Sequence, residues 1–311
     1  MKRVIALFGP TASGKSSLAF QLSLELNGLI VSADSMQIYK KMDIGTAKPS
    51  EAEMKQVPHR MINICSHNET FSVYDYKKRA EEEIDDALSA GLVPIVTGGT
   101  GLYFDALFYN TDFGEMEIKP EIRNELSRRV LNGEAAILLS ELFAIDPETA
   151  APLHEKDVKR IVRGLEVYLS TGTPLSVFKA NSRTQSSKFH FLKLFLNYKK
   201  RDLLYNRINQ RVDLMLDQGL VRETEGLLRD GCFESPTASQ AIGYKELLPY
   251  FQNQRSLDEC VSILKQKTRN YAKRQLTWFR RYEDAITIWM DEDPDPFARA
   301  LNLCNKFLKE V

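Results

Sequence analysis

The phosphate-binding loop pattern near the N-terminus constrains this chain more than any other feature. Residues 9–16 read Gly-Pro-Thr-Ala-Ser-Gly-Lys-Ser, which is G-x-x-x-x-G-K-[ST]. An apolar run at 4–8 precedes the loop, and within residues 17–26 the side chains of Leu18, Ala19, Leu22 and Leu26 fall on one helical face. A strand, a glycine loop and a helix are the context in which this pattern binds phosphate. The sequence therefore predicts a phosphate or diphosphate site here, the alternative being a chance glycine turn.

Each residue type in the loop has a defined chemical use. The two glycines allow backbone N–H groups to converge at a helix N-terminus, where an anion is favoured. Lys15 supplies a cation for terminal phosphate oxygens, and the Ser16 hydroxyl is a predicted ligand for Mg²⁺. The predicted loop contacts to the diphosphate are Gly9, Pro10, Thr11, Ala12, Ser13, Gly14, Lys15 and Ser16.

Strand and helix patterns alternate through the first hundred residues. Strands are predicted at 28–33, 59–64 and 92–97, with a helix from the N-cap Ser72 to Ala90, where Asp75 completes a capping box. This alternation predicts an α/β fold with a parallel sheet flanked by helices, like that of P-loop NTPases.

The pattern then becomes helical, with one return to strand character at 189–197. Helices are predicted at 121–131, 134–145, 157–170, 203–218, 223–230, 239–251 and 257–281, and a short strand at 286–289. We therefore expect a catalytic core at 1–111 and 186–311, with a helical C-terminal region, and an all-helical insertion domain at 112–185. The returning strand is the reason to predict an insertion and not a second domain.

Composition excludes several classes of protein. The 43% hydrophobic and 27% charged content is that of a globular protein, and the net charge is zero, so any nucleic-acid affinity has to come from local patches. The four cysteines are scattered without a C-x-x-C pair, which argues against zinc and disulfides and fits a reducing cytosol. No apolar run reaches membrane-span length, so we expect a cytoplasmic protein without a membrane partner.

One predicted helix carries an unusual charge pattern. Residues 261–282 contain seven basic side chains and no acidic ones, and the basic residues interleave with Tyr271, Trp278 and Phe279. A basic helix with interleaved aromatic residues is typical of a surface that binds a phosphate backbone. A solvated helix face is the alternative, but the acidic partners usual on such a face are missing.

Three charged residues are candidates for chemistry at the phosphate site. Asp34 follows the second strand, where it could ligate magnesium, act as a general base or simply cap a turn. Arg207 and Arg211 lie four residues apart on one helix and could clamp a diphosphate, although surface ion pairs with Asp202 or Asp213 explain them as well. The strand at 92–97 ends in Gly-Gly-Thr instead of the magnesium-binding Asp usual in nucleotide hydrolases, which disfavours that class.

Six segments together resemble one family, the tRNA dimethylallyltransferases, which modify the adenosine next to the anticodon. They are Gly-Pro-Thr-Ala-Ser-Gly-Lys-Ser at 9–16, Asp-Ser-Met-Gln-Ile-Tyr at 34–39, Asp-Ile-Gly-Thr-Ala-Lys-Pro at 43–49, Gly-Gly-Thr-Gly-Leu-Tyr at 98–103, Gln-Ala-Ile-Gly-Tyr-Lys-Glu at 240–246 and Lys-Arg-Gln-Leu-Thr-Trp-Phe-Arg at 273–280. They follow the family's order over nearly the whole chain. Lys156 and Gly164 depart from it, since the family more often has Asn and Ala there. The resemblance is to the bacterial form, which lacks the zinc finger of eukaryotic members.

The resemblance implies transfer of a dimethylallyl group from dimethylallyl diphosphate to N6 of adenosine 37, in tRNAs that read codons beginning with U. It implies Mg²⁺ as cofactor and a monomer that holds the anticodon stem-loop with the adenosine flipped out of its stack. The implied catalytic residues are Lys15, Ser16, Asp34 (the general base), Thr100 and Arg211, with Arg207 on the diphosphate side. The implied RNA-binding residues are Asp34, Ser35, Met36, Gln37, Thr100, Arg123, Lys159, Arg160, Ile161, Val162, Arg163, Gln240, Ala241, Ile242, Gly243, Tyr244, Lys245, Lys273, Arg274, Gln275, Leu276, Thr277, Trp278, Phe279 and Arg280.

Two alternatives belong to other classes. A P-loop small-molecule kinase shares the expected architecture of the first hundred residues, but it has no use for the basic helix at 261–282. A non-catalytic RNA-binding or nucleotide-switch protein explains that helix, but it leaves Asp34 and the phosphate loop without a role. Nucleotide turnover without RNA would favour the kinase, and RNA binding that ignores diphosphates would favour the switch protein.

Overall fold

A computed structural model describes residues 2–109, 119–184, 187–235 and 237–310, with the backbone alone at 181–184. Its strands are β1 (Arg3–Phe8), β2 (Gly28–Ser32), β3 (His59–Arg60), β4 (Val93–Gly98), β5 (His190–Asn197) and β6 (Ile286–Trp289). Its helices are α1 (Lys15–Leu26), α2 (Glu51–Gln56), α3 (Val73–Ser89), α4 (Gly101–Phe108), α5 (Pro120–Leu131), α6 (Ala135–Ile145), α7 (Pro147–Ala150), α8 (Val158–Thr171), α9 (Leu175–Thr184), α10 (Arg201–Asp217), α11 (Leu220–Arg229), α12 (Leu248–Phe251), α13 (Leu257–Phe279) and α14 (Pro296–Lys309).

Within the described residues the strands form one sheet in the order β3-β2-β4-β1-β5-β6. Every neighbouring pair runs parallel, which confirms the predicted parallel sheet. β1 is central, because Ile5 pairs with Ile95 of β4 on one side and with Leu192 of β5 on the other. All carboxyl ends of these strands therefore lie along one edge, the edge at which ligands bind in such sheets.

Two apolar layers enclose the sheet. On one face Ile5 and Leu7 pack with Leu18 and Leu22 of α1 and with Cys304 of α14. The other face is aromatic: the ring centroid of Phe8 lies 5.2 Å from that of Phe104, 5.0 Å from Phe279 and 5.3 Å from Tyr282. Because α4 supplies Phe104 and α13 supplies Phe279, both helices are fixed to the centre of the sheet. A third apolar cluster joins the segments after β2 to α10, α11 and α13.

The predicted element bounds hold with a few exceptions. The predicted capping box of α3 is present, with the Ser72 hydroxyl accepting from the Asp75 N–H at 3.2 Å. The strand predicted at 59–64 is reduced to His59–Arg60. The single helix predicted at 239–251 is wrong: a 3-10 turn at Ala238–Gln240 and the short α12 replace it. Gly243 between them has φ +115°, which no helix accommodates. The patterns also missed α2, α4, α7, α9 and α14.

The chain divides into two compact units, Met1–Phe104 with Phe189–Val311 and Asp105–Lys188. The second unit has its own core of α5, α6 and α8, in which Leu126, Leu142 and Ile161 are buried. The domain boundaries predicted at 111–112 and 185–186 lie outside the described residues. Among the described residues, no helix has the length and apolar content needed to cross a membrane.

Candidate active site

Three loops meet at the carboxyl edge of the sheet and build the site. The loop after β1 is the phosphate loop, the turn after β2 carries Asp34, and the turn after β4 is Gly98–Thr100. Strand register brings them together, since Phe8 pairs with Gly98 and Ser32 with Thr97. A Cβ on Gly98 would lie 2.1 Å from the carbonyl oxygen of Ala33, so the β2 and β4 turns approach each other only because this residue is glycine.

The phosphate loop has the strained backbone that an anion-binding loop needs. Ala12 has φ +61° and Gly14 has φ +94°, both in the left-handed region. Gly14 is the N-cap of α1, so the helix begins at Lys15 with its N-terminal N–H groups at the loop. The loop thus combines converging backbone donors with the positive end of a helix dipole.

Lys15 is held by its own loop and lies close to a second cation. Its ammonium donates a hydrogen bond of 2.7 Å to the Pro10 carbonyl oxygen. Burial, reinforced by the charge of Arg211, lowers the pKa of Lys15 to about 7, while Asp34 opposes the shift. Burial also lowers the pKa of Arg211, again opposed by Asp34. A bound diphosphate would relieve this crowding of positive charge.

The two arginines of α10 reach the phosphate loop. The Arg207 guanidinium donates to the Ala12 carbonyl oxygen at 3.0 Å and lies 5.8 Å from the ring centroid of Tyr198. Asp213, one partner in the surface-pair alternative, accepts a 2.6 Å contact from Lys265. Arg207 therefore bonds directly to the phosphate loop, and Arg211 lines a cavity together with that loop.

Two cavities lie on either side of Lys15. One of about 300 Å³ is lined by the phosphate loop and by α10, including Arg207 and Gln210. The other, of about 350 Å³, is lined by side chains that include Asp34 and Gln37. Three residues line both cavities, namely Lys15, Ser16 and Arg211. A molecule with a diphosphate in the first cavity and a short apolar tail directed into the second would contact all three.

The turn after β2 is ordered by its own side chains. One Asp34 carboxylate oxygen accepts from the Met36 N–H at 2.9 Å, so this residue caps its turn as the alternative interpretation required. It also lines the larger cavity, which the capping role alone does not explain. The Thr100 hydroxyl accepts from the Ser35 N–H at 2.9 Å and so holds the residue next to Asp34.

Gln37 is fixed at both ends of its amide. Its Oε1 accepts from the Ser32 hydroxyl at 2.8 Å, and its Nε2 donates to the carbonyl oxygens of Thr46 and Ala47, each at 3.2 Å. The loop at 43–49 therefore orients a side chain of the larger cavity.

That loop is held by a residue that the sequence did not single out, Glu223 of α11. Its carboxylate accepts from the backbone N–H groups of Asp43, Ile44 and Gly45 at 2.9–3.1 Å, and from the Tyr244 hydroxyl at 2.7 Å. The Tyr244 ring lies where a Cβ on Gly45 would be, at 2.4 Å. Consecutive N–H groups around one oxyanion form a nest. No spacing rule links Glu223 to a loop about 180 residues earlier.

The predicted RNA-binding residues of α13 divide between two faces. Lys273, Arg274, Thr277 and Arg280 are exposed and Trp278 is partly exposed. Leu276 and Phe279 belong to the core and Gln275 is 5% exposed, so these three lie off the exposed face, and Gln275 lines the larger cavity instead. The helical period explains the division, since positions three and four apart share a face.

The segment at 240–245 shows a similar division. Gln240 is exposed, and Ile242 and Lys245 are partly exposed. Ala241, Gly243 and Tyr244 are buried, and Ala241 and Gly243 line the larger cavity. Tyr244 instead supports Glu223 and the loop at 43–49.

In the second unit the predicted residues lie on α5 and α8. Lys159 and Arg160 are exposed and Val162 is partly exposed, but Ile161 is buried in the core, so it offers RNA no side-chain surface. Arg123 and Arg163 both pair with the buried Glu166, at 3.0 Å and 3.1 Å between guanidinium nitrogen and carboxylate oxygen.

The described residues contain no group of three or more His, Cys, Asp or Glu side chains that could hold a metal ion by themselves. An oxygen donor set is nevertheless present beside the phosphate loop, in the exposed Ser16 hydroxyl and the Asp34 carboxylate. Mg²⁺ typically uses few protein oxygens together with water and substrate phosphates. These residues therefore fit Mg²⁺ brought to the site by a diphosphate.

Comparison with known proteins assigns this site to a family. The family described as IPP transferase matches residues 37–282. The chain is 46% identical to a tRNA dimethylallyltransferase of Acetivibrio thermocellus over 94% of this chain and 93% of that protein. It is 43% identical to tRNA dimethylallyltransferase 1 of Citrifermentans bemidjiense over 98% of this chain and 97% of that protein.

Two solved structures share the fold. A full-length tRNA isopentenylpyrophosphate transferase of Bacillus halodurans superposes with a TM-score of 0.74 at 36% identity, over 99% of this chain and 97% of that one. A eukaryotic dimethylallyltransferase described as acting on tRNA superposes with a TM-score of 0.85 at 30% identity, over 99% of this chain and 80% of that one.

Proposed function

This chain belongs to the tRNA dimethylallyltransferase family, and on that premise we propose that it transfers the dimethylallyl group of dimethylallyl diphosphate to N6 of adenosine 37 in tRNA. The observation that carries the proposal is the pair of cavities that share Lys15, Ser16 and Arg211. One cavity suits a diphosphate and the other suits its apolar tail and an acceptor base. Asp34 lines the second cavity, where the new bond would form.

The donor would lie with its diphosphate against the phosphate loop. Lys15, Arg207 and Arg211 would neutralise the charge that develops on the diphosphate as it leaves, the usual main source of catalysis for such a leaving group. Mg²⁺, when held by Ser16 and the diphosphate oxygens, supplies further charge stabilisation. Because the N-terminal N–H groups of α1 already point into the loop, little reorganisation is needed during the reaction.

The acceptor side would use Asp34 as the general base. The C1–O bond of the donor breaks as the C1–N6 bond forms, and the bonding electron pair leaves with the diphosphate. The N6 proton passes to the Asp34 carboxylate oxygen that does not cap the turn. Thr100 and Gln37 would position the acceptor end, the first by holding Ser35 and the second as a fixed amide in the cavity.

Adenosine 37 would have to be flipped out of the anticodon loop to reach this cavity, at a cost of a few kcal/mol. The exposed cations Lys273, Arg274 and Arg280 would bind the RNA backbone, as would Lys159 and Arg160 of the second unit. The protein would act as a monomer in the cytosol, where its tRNA substrate would be found.

The test is a transfer assay with purified protein, Mg²⁺, dimethylallyl diphosphate and an anticodon stem-loop carrying adenosines at positions 36, 37 and 38. Nucleoside mass spectrometry should show a dimethylallyl mass shift on adenosine 37, lost or strongly reduced with Asp34→Ala. A shift that survives in the variant would remove Asp34 from its role. ATP consumption without any shift would overturn the proposal in favour of the kinase alternative, which the family comparison does not favour.

A further inference from the structure

Gln275 of α13 connects two loops of the site through opposite ends of its amide. Its Oε1 accepts from the Thr11 N–H at 2.8 Å, and its Nε2 donates to the Gly99 carbonyl oxygen at 2.9 Å. The side chain is 5% exposed, so both bonds are made in an environment where losing them is costly. A Cβ on Gly99 would lie 2.3 Å from Nε2, so glycine at that position makes room for the contact.

One of these two loops belongs to the diphosphate side of the site and the other belongs to the acceptor side. Thr11 belongs to the phosphate loop, four residues before Lys15. Gly99 precedes Thr100, whose hydroxyl holds the Ser35 N–H next to Asp34. The Gln275 amide therefore holds one loop on the diphosphate side of the site and one loop on the acceptor side.

The same helix presents exposed cations one turn or less away. Lys273 and Arg274 precede Gln275, and Thr277 follows it on the exposed face. Rigid helices are among the elements that carry coupling between separated sites, so a displacement of the exposed face of α13 would be passed to its buried face. RNA held by the cations would therefore act on Gln275 through the helix, and Gln275 also lines the larger cavity.

We infer that Gln275 is a positioning residue that couples RNA binding on α13 to diphosphate affinity at the phosphate loop. The inference rests on the proposed function for the identity of the RNA. Coupling between sites is reciprocal, so diphosphate bound in the loop must raise RNA affinity by the same factor. The sequence motif placed Gln275 among RNA contacts, whereas its burial assigns it to this connecting role.

The experiment measures the affinity for inorganic pyrophosphate with Mg²⁺ by calorimetry, with and without saturating anticodon stem-loop. In the wild-type protein the RNA should raise the affinity by about fivefold or more, the low end of typical coupling between sites. Gln275→Met keeps the length of the side chain but loses both hydrogen bonds. In this variant the ratio of the pyrophosphate affinities with and without RNA should fall to about one. Gln266→Met is the matched control, since Gln266 is exposed on the same helix and should leave the factor unchanged.

A role confined to stability would weaken pyrophosphate binding equally with and without RNA, and that result would overturn the inference. If RNA does not change the pyrophosphate affinity of the wild-type protein, the inference is overturned as well. If melting curves show that Gln275→Met is unfolded, Gln275→Glu replaces it, because its carboxylate cannot donate to Gly99, and the same outcomes apply. Absence of transfer in the wild-type protein would defeat the proposed function alone, while transfer with an unchanged factor in the variant would defeat this inference alone.

Discussion

The Lys15 ammonium lies 2.7 Å from the Pro10 carbonyl oxygen, so the phosphate loop holds its cation by bonding it to its own backbone. A bound diphosphate offers the ammonium a stronger, charged acceptor. The lysine is therefore kept next to its ligand before the ligand arrives. Because its pKa is lowered to about 7, the ligand also finds it only partly charged at neutral pH.

Diphosphate binding should consequently take up a proton at Lys15. The anion raises the lysine pKa, so above pH 7 the free site has to gain a proton on binding, and affinity should fall by up to about tenfold per pH unit. Calorimetry at pH 8 in buffers of different ionisation enthalpy measures the uptake. Lys15→Met corrects for protons taken up by pyrophosphate itself. Equal uptake by both proteins would contradict the prediction.

Asp34→Asn should slow transfer by about 10²–10⁴ in single-turnover assays, the range for losing a general base. The amide oxygen can still accept from the Met36 N–H, so the turn should persist. Pyrophosphate affinity should change little, which separates a chemical role from a binding role. Asp202→Asn, at an exposed position on α10, is the control. An Asp34→Asn variant with wild-type transfer would rule out the base.

Glu223→Gln should destabilise the protein by about 1–3 kcal/mol in denaturant titrations, because one charged acceptor serves three backbone N–H groups. It should also lower the transfer rate, since the loop at 43–49 orients Gln37. Tyr244→Phe, which removes one hydrogen bond, should cost about 0.5–1.5 kcal/mol. Glu225→Gln on the exposed face of the same helix should be neutral, and an effect equal to that of Glu223→Gln would refute the nest.

Replacing both Lys273 and Arg274 by Ala should weaken stem-loop binding. The slope of the logarithm of the binding constant against the logarithm of the salt concentration should also fall in magnitude by about two, one for each lost phosphate contact. Binding titrations at several salt concentrations provide the slope. Lys267→Ala is the comparison, because Lys267 is exposed on the same basic helix but lies outside the family segment at 273–280. If Lys267→Ala changes the slope as much as the double variant, the RNA does not prefer this end of the helix.

Sequence patterns correctly predicted the features that depend on residues close together in the chain. The phosphate loop was recognisable because strand, glycines and helix are contiguous, and the α3 capping box because Ser72 and Asp75 are three residues apart. The helical period could also have identified Gln275 as buried, since Ala272, Leu276 and Phe279 share its face.

Contacts across long stretches of chain were beyond such rules. Glu223 is an ordinary helical glutamate until the fold brings the loop at 43–49 to it. The false helix at 239–251 came from composition, which does not report the φ of +115° at Gly243. Both are properties of packing and not of the local sequence.

The strand order has a consequence for synthesis of the chain. β1 is central in the finished sheet, but its partner β5 begins about 90 residues after β4 ends. While the ribosome adds those residues, for roughly 5–20 s at typical elongation rates, one edge of β1 stays unpaired. An apolar strand with an open edge is a template for wrong pairing. The nascent chain should therefore depend on chaperones most between the completion of β4 and the emergence of β5.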